Sequence, residues 1–180
     1  MKEYCWLLYF IVLNIMDLTG SIESNSCSSV ASQLSIPKVN FCENGRNGYS
    51  LLIMDGSLAE SIPTIGSCSC VITTNFATTV SFSHPVWVPL EITTGCGSEI
   101  SVTDSKGNGL LMDCTVQGSI DIRSDEYLTV VLTKKSINAN TKYCVLISQG
   151  NGNARINATC SNSTDPIWTD ITTSTPFVTR

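Results

Sequence analysis

Short runs in which apolar residues take every second position recur along the chain from residue 49 to residue 159. They are Tyr49–Met54 (YSLLIM), Ser69–Thr73 (SCVIT), Thr79–Ser83 (TVSFS), Glu99–Thr103 (EISVT), Ser119–Arg123 (SIDIR), Tyr127–Thr133 (YLTVVLT), Tyr143–Ser148 (YCVLIS) and Ala154–Thr159 (ARINAT). Alternation over so few residues, rich in Val, Ile and Thr, is the strand pattern. It puts Val80 with Phe82, Ile100 with Val102, and Leu128 with Val130 and Leu132, each set on one face. Asn44-Gly45, Asn47-Gly48, Asn108-Gly109 and Asn151-Gly152 are dipeptides that accept positive φ, and they read as turns. No stretch beyond the leader has a convincing 3.6-residue period. Strands with one face each to bury predict an all-β fold: an antiparallel two-sheet sandwich of jelly-roll or Greek-key type.

The two ends follow other patterns. Lys2 precedes Trp6–Met16 (WLLYFIVLNIM), an apolar run that Asp17 ends and Gly20 and Ser21 follow. A basic start, a short apolar core and small residues predict a signal peptide and a signal helix over residues 1–21, too short for a bilayer-crossing segment. Residues 22–41 then form an N-terminal segment and 42–160 the sandwich domain. Residues 161–180, crowded with Ser and Thr and holding Pro166 and Pro176, read as an extended tail. The mature chain is expected to carry no membrane span and to be secreted.

Composition sharpens this. Of 15 acidic and 10 basic residues, the leader removes Glu3, Asp17 and Lys2, so 13 and nine remain. The acidic balance speaks against nucleic acid as a partner. The leader also takes one of nine cysteines and leaves Cys27, Cys42, Cys68, Cys70, Cys96, Cys114, Cys144 and Cys160. An even set in an oxidising compartment predicts disulfides throughout. Cys68 and Cys70 share a strand face and need separate partners, whereas Cys96 with Cys114 would close a hairpin through Ser105–Gly109. Cys144 and Cys160 are equidistant from Gly152, so a hairpin centred there would join them, stabilising by about 3 kcal/mol in the chain-entropy picture. Asn157-Ala-Thr159 and Asn162-Ser-Thr164 are glycosylation acceptors. His84 is the single histidine, and neither a Gly-x-Ser-x-Gly elbow nor a phosphate-binding glycine loop occurs. The chain is therefore read as having no catalytic residues and as not being an enzyme.

Cys70–Glu91, with Ile72, Val80, Phe82, Leu90 and Glu91 before Cys96, resembles the CUB domain, an extracellular β-sandwich. Ile122-Arg-Ser124 and Leu128-Thr-Val130-Val-Leu132 look like two later strands of that family, and the likeness covers roughly residues 42–148. The resemblance implies a Cys42–Cys68 bridge as the family's first disulfide and Cys96–Cys114 as its second. An immunoglobulin-like domain is the rival, although Tyr143 directly precedes Cys144 where that fold places its tyrosine two residues earlier. Many CUB domains hold calcium through acids near the third cysteine, and Glu99 and Asp104 occupy similar places; no other cofactor is implied.

These readings describe a non-enzymatic extracellular recognition module for a protein or glycan. The alternatives are a structural glycoprotein of matrix or mucus and the truncated ectodomain of a cell-surface receptor. Trp87, between Val86 and Val88 and near two prolines, reads either as a core filler or as an exposed apolar contact with a partner.

Overall fold

The alternating segments pair into two stacked sheets. The computed structural model describes residues 26–61, 66–86, 97–136 and 138–161. Within them, one helix α1 (Cys27–Gln33) precedes β1 (Lys38–Asn40), β2 (Gly45–Tyr49), β3 (Leu51–Asp55) and a 3-10 turn at Ser57–Ser61. There follow β4 (Gly66–Thr74), β5 (Thr78–Ser83), β6 (Ser98–Asp104) and β7 (Gly109–Met112). The last four are β8 (Gln117–Ile122), β9 (Tyr127–Lys134), β10 (Cys144–Gln149) and β11 (Ile156–Ser161). The first sheet runs β1-β3-β10-β5-β8 and the second β2-β11-β4-β9-β6-β7. Every pairing is antiparallel except β1 with β3. This is the predicted all-β sandwich.

The core lies between the sheets. Leu52, Met54, Val80, Phe82, Val145 and Ile147 of the first sheet meet Ile72, Ile100, Val102, Leu128, Val130, Leu132 and Ile156 of the second. The sheets also approach each other at their margins, where β1 lies against β2 and β7 against β8. Gly118 on β8 makes room for Leu110 on β7; a Cβ there would fall 2.7 Å from the leucine's terminal methyl.

A smaller cluster explains the helix. Cys27, Val30 and Ala31, spaced i, i+3 and i+4, pack with Ile53 and Cys144 on the outer side of the first sheet. The Ser26 hydroxyl caps the helix by accepting from the Ser29 N–H. So part of the segment assigned to residues 22–41 belongs to the packed unit, through α1 and β1.

Three disulfides join Cys27 to Cys144, Cys42 to Cys68, and Cys70 to Cys160. The expected Cys144–Cys160 hairpin bridge does not form. β10 enters the first sheet between β3 and β5, while β11 enters the second between β2 and β4. The turn after β10 is held to β5 by the Gly150 N–H on Thr79 O and the Asn151 N–H on Thr78 Oγ1, so the chain changes sheets instead of folding back. Cys160 is directly opposed to Cys70 across β11 and β4, and Cys144 faces the helix. Cys68 and Cys70 do take separate partners. Cys114 is disulfide-bonded as well, and its expected partner Cys96 lies outside the described residues. Among the described residues no helix is long and apolar enough to cross a membrane.

Candidate ligand-binding site

The register brings five turns to one end of the sandwich: Tyr49–Ser50, 75–77, 105–108, 123–126 and 150–155. Polar bonds tie them together. The Asn75 N–H donates to Arg155 O, the Arg155 N–H donates to Asn75 Oδ1, and Lys106 pairs with Glu126 at 2.6 Å.

Tyr49 stands at the margin of this end. It is paired with Ile156, whose side chain is fully buried, so both point to the inner side of the second sheet. However, β2 is the edge strand, the core stops there, and the Tyr49 ring emerges 58% exposed. Two hollows flank the ring. The larger, about 610 Å³, runs between α1, the Ser35–Lys38 segment and β2, and is lined by Ser28, Ser32, Ile36, Lys38 and Asn47 among others. The smaller, about 230 Å³, is lined by Ser50, Gly152, Asn153, Ala154 and Arg155. Tyr49 borders both.

Beneath the larger hollow a polar cluster anchors the helix. Asp55, 2% exposed, accepts from Ser28 Oγ at 3.0 Å and pairs with Lys38 Nζ at 3.2 Å, both on Oδ2. Its Oδ1 accepts the Ser57 N–H at 3.0 Å. Lys38 Nζ also donates to Ser28 Oγ at 2.6 Å. The Ser28 hydroxyl thus gives its proton to one charged group and receives one from the other, which fixes it as a strut. Asn47 Nδ2 donates to Lys38 O at 3.3 Å and steadies the opposite wall.

The residues singled out from sequence fall elsewhere. Glu99 lies at the start of β6, paired with Lys135 at 2.5 Å, and Asp104 at its end. Five residues of extended chain separate them by about 17 Å, so the structure does not bring the two acids together. The oxygens of Asp104 already accept from the N–H of Lys106, the N–H of Asn108 and the Asn108 side-chain amide. Those bonds, the Asn108 amide foremost, hold its carboxyl below the ordinary value. Among the described residues no three His, Cys, Asp or Glu side chains gather as a metal site. Asn157 is half-buried on β11, opposite Gly48, where a Cβ would lie 2.3 Å from Asn157 Oδ1. Trp87 and Asn162 lie outside the described residues.

Tyr49 was hidden inside an alternating run. Reading YSLLIM as one strand aligns Tyr49 with Leu51 and Ile53, whereas the chain breaks at Ser50 and the tyrosine ends β2. The Gly48-Tyr49-Ser50 sequence, with small residues on both sides of an aromatic ring, is the signal that marks it. Compared with known proteins, the chain matches no family model, no curated protein and no solved structure.

Proposed function

We propose that this chain is a secreted, non-enzymatic recognition module, CUB-like in organisation, that binds an extracellular protein or glycan at the Tyr49 site. The observation that carries the reading is an exposed tyrosine that lines two hollows, mounted on a frame that disulfides clamp in both sheets. Rigid scaffolds displaying aromatic side chains at their ends are suited to binding, because little entropy is lost when the ligand arrives. Secretion is supported by the bridges themselves, which persist in oxidising compartments. The Cys42–Cys68 bridge supports the CUB-like reading.

The test is expression of the full chain in a secreting eukaryotic cell. The expected product appears in the medium, begins near Gly20 or Ser21, loses mass on treatment with an N-glycosidase and has no free thiols. Capture of extracellular ligands is expected to weaken with Tyr49→Ala at unchanged melting temperature. Retention inside the cell with reduced cysteines, or a ligand indifferent to Tyr49, overturns the reading.

A further inference from the structure

Resting on that binding reading, we infer that the Tyr49 site takes an oligosaccharide carrying a carboxylate, a uronic or sialic acid class of sugar. Two observations and the chemistry of sugars lead there. Tyr49 lines two separate hollows, which suits an extended chain of rings better than one compact ligand. A sugar presents an apolar C–H face that packs on an aromatic ring while its hydroxyls remain free to hydrogen bond. Ser32, Asn47 and Asn153 offer hydroxyl and amide groups around the ring for those hydroxyls.

Charge selects the acid. The described lining of both hollows contains no carboxylate, while it holds Lys38 and Arg155. Asp55, beneath the larger hollow, is buried and saturated by Ser28, Lys38 and Ser57. That leaves Arg155 as the uncompensated cation: among the described residues its guanidinium makes no ion pair. It borders the same hollow as Tyr49. A ring stacked on Tyr49 would set its carboxylate toward that guanidinium, whose planar fork matches a carboxylate bidentately. The next sugar would continue into the larger hollow, over Ser32 and Asn47.

The experiment uses the full-length secreted protein and calorimetric titration with four probes: 3′-sialyllactose, trigalacturonate, lactose and the methyl ester of trigalacturonate. The expected result is binding of at least one acidic probe, with its neutral counterpart weaker by about tenfold, a difference of about 1.4 kcal/mol. Tyr49→Ala should abolish binding of both forms, Tyr49→Phe should retain it, and Arg155→Gln should remove the preference for the acid while leaving residual neutral binding. Equal binding of acid and neutral probes, or binding unaffected by Tyr49→Ala, overturns the inference. Failure of all four probes with Tyr49-dependent binding of an unglycosylated protein overturns the glycan assignment and leaves the recognition reading standing. Failure of every ligand to depend on Tyr49 removes both.

Discussion

Ser35 has φ of +54°, a left-handed conformation that L side chains seldom adopt. It sits just past α1, where the Ile36 N–H reaches Ala31 O and the Ser35 N–H reaches Ser32 O, the pair of bonds that closes a Schellman motif. Glycine is the usual occupant because it lacks the Cβ that opposes this conformation. Ser35→Gly is therefore expected to raise stability by about 1 kcal/mol, measured by urea unfolding with an unchanged slope; a loss of stability would refute the assignment. Gly56 is the reverse case. A Cβ there would lie 2.4 Å from the backbone oxygen of Thr141, and the Gly56 N–H is bonded to Tyr143 O. Backbone cannot swing aside as a side-chain tip can, so Gly56→Ala should cost about 2–3 kcal/mol, seen as a lowered denaturation midpoint. Tyr143, fully buried, points its hydroxyl at Ser98 O and Asp113 O, both at 2.8 Å. Burial pushes its phenol pKa up.

At the scale of elements, α1 is held by one covalent and one electrostatic clasp, Cys27–Cys144 and the Ser28–Lys38–Asp55 cluster. The bridge spans a sequence separation of 117 residues, so replacing both cysteines by serine should cost about 4–5 kcal/mol in the chain-entropy picture. Calorimetric melting would check the loss, and amide exchange over residues 27–33 should rise, since the helix is too short to persist undocked. The turns respond to pH instead. Hydrogen bonding by Asn108 holds Asp104 low, and hydrogen bonding by Lys106 holds Glu126 low. Because both folded values lie below the unfolded ones, their contribution is present above the ordinary carboxylate range and is lost as pH falls through the depressed values. Nuclear magnetic resonance titration should place both midpoints below those of the unfolded chain, with exchange of the Lys106 and Asn108 amides accelerating on the acid side. Midpoints at or above the unfolded ones would contradict the bonding described. How legible these elements were depended on their faces. Every alternating run from Ser69 onward overlaps a strand, although Arg123, Tyr143 and the Ala154-Arg155 pair fall just outside β8, β10 and β11. β1, β2 and β7 escaped because they are short edge strands with Gly, Asn or Lys in them. The helix escaped because only Cys27, Val30 and Ala31 mark its apolar face.

For the molecule as a whole, strand pattern alone could show that two sheets exist but not which strand enters which sheet. The Cys144–Cys160 expectation failed on that point: opposed cysteines were the right geometry, yet the opposed pair is Cys70 and Cys160, because the chain crosses between sheets after β10. The candidate site was less legible still, since it needs Tyr49, Asn153 and Arg155, which are remote in sequence and meet only through the register of β2 with β11. That connectivity has a thermodynamic consequence. Each of the three bridges whose two cysteines are described has at least one nearly inaccessible partner: Cys144 at 1%, Cys68 at 2% and Cys70 at 1% exposed. The sheets also approach each other along both margins, β1 near β2 and β7 near β8. Thiol exchange requires access to sulfur, and access here requires the core to open. Mild reductant at neutral pH, without denaturant, should therefore leave Cys27–Cys144, Cys42–Cys68 and Cys70–Cys160 intact. With added urea, mass-tagging of the freed thiols should follow the loss of near-ultraviolet circular dichroism in one shared transition. Early and separate labelling of Cys70 and Cys160 would mean that the second sheet opens by itself, and would reject a single cooperative core.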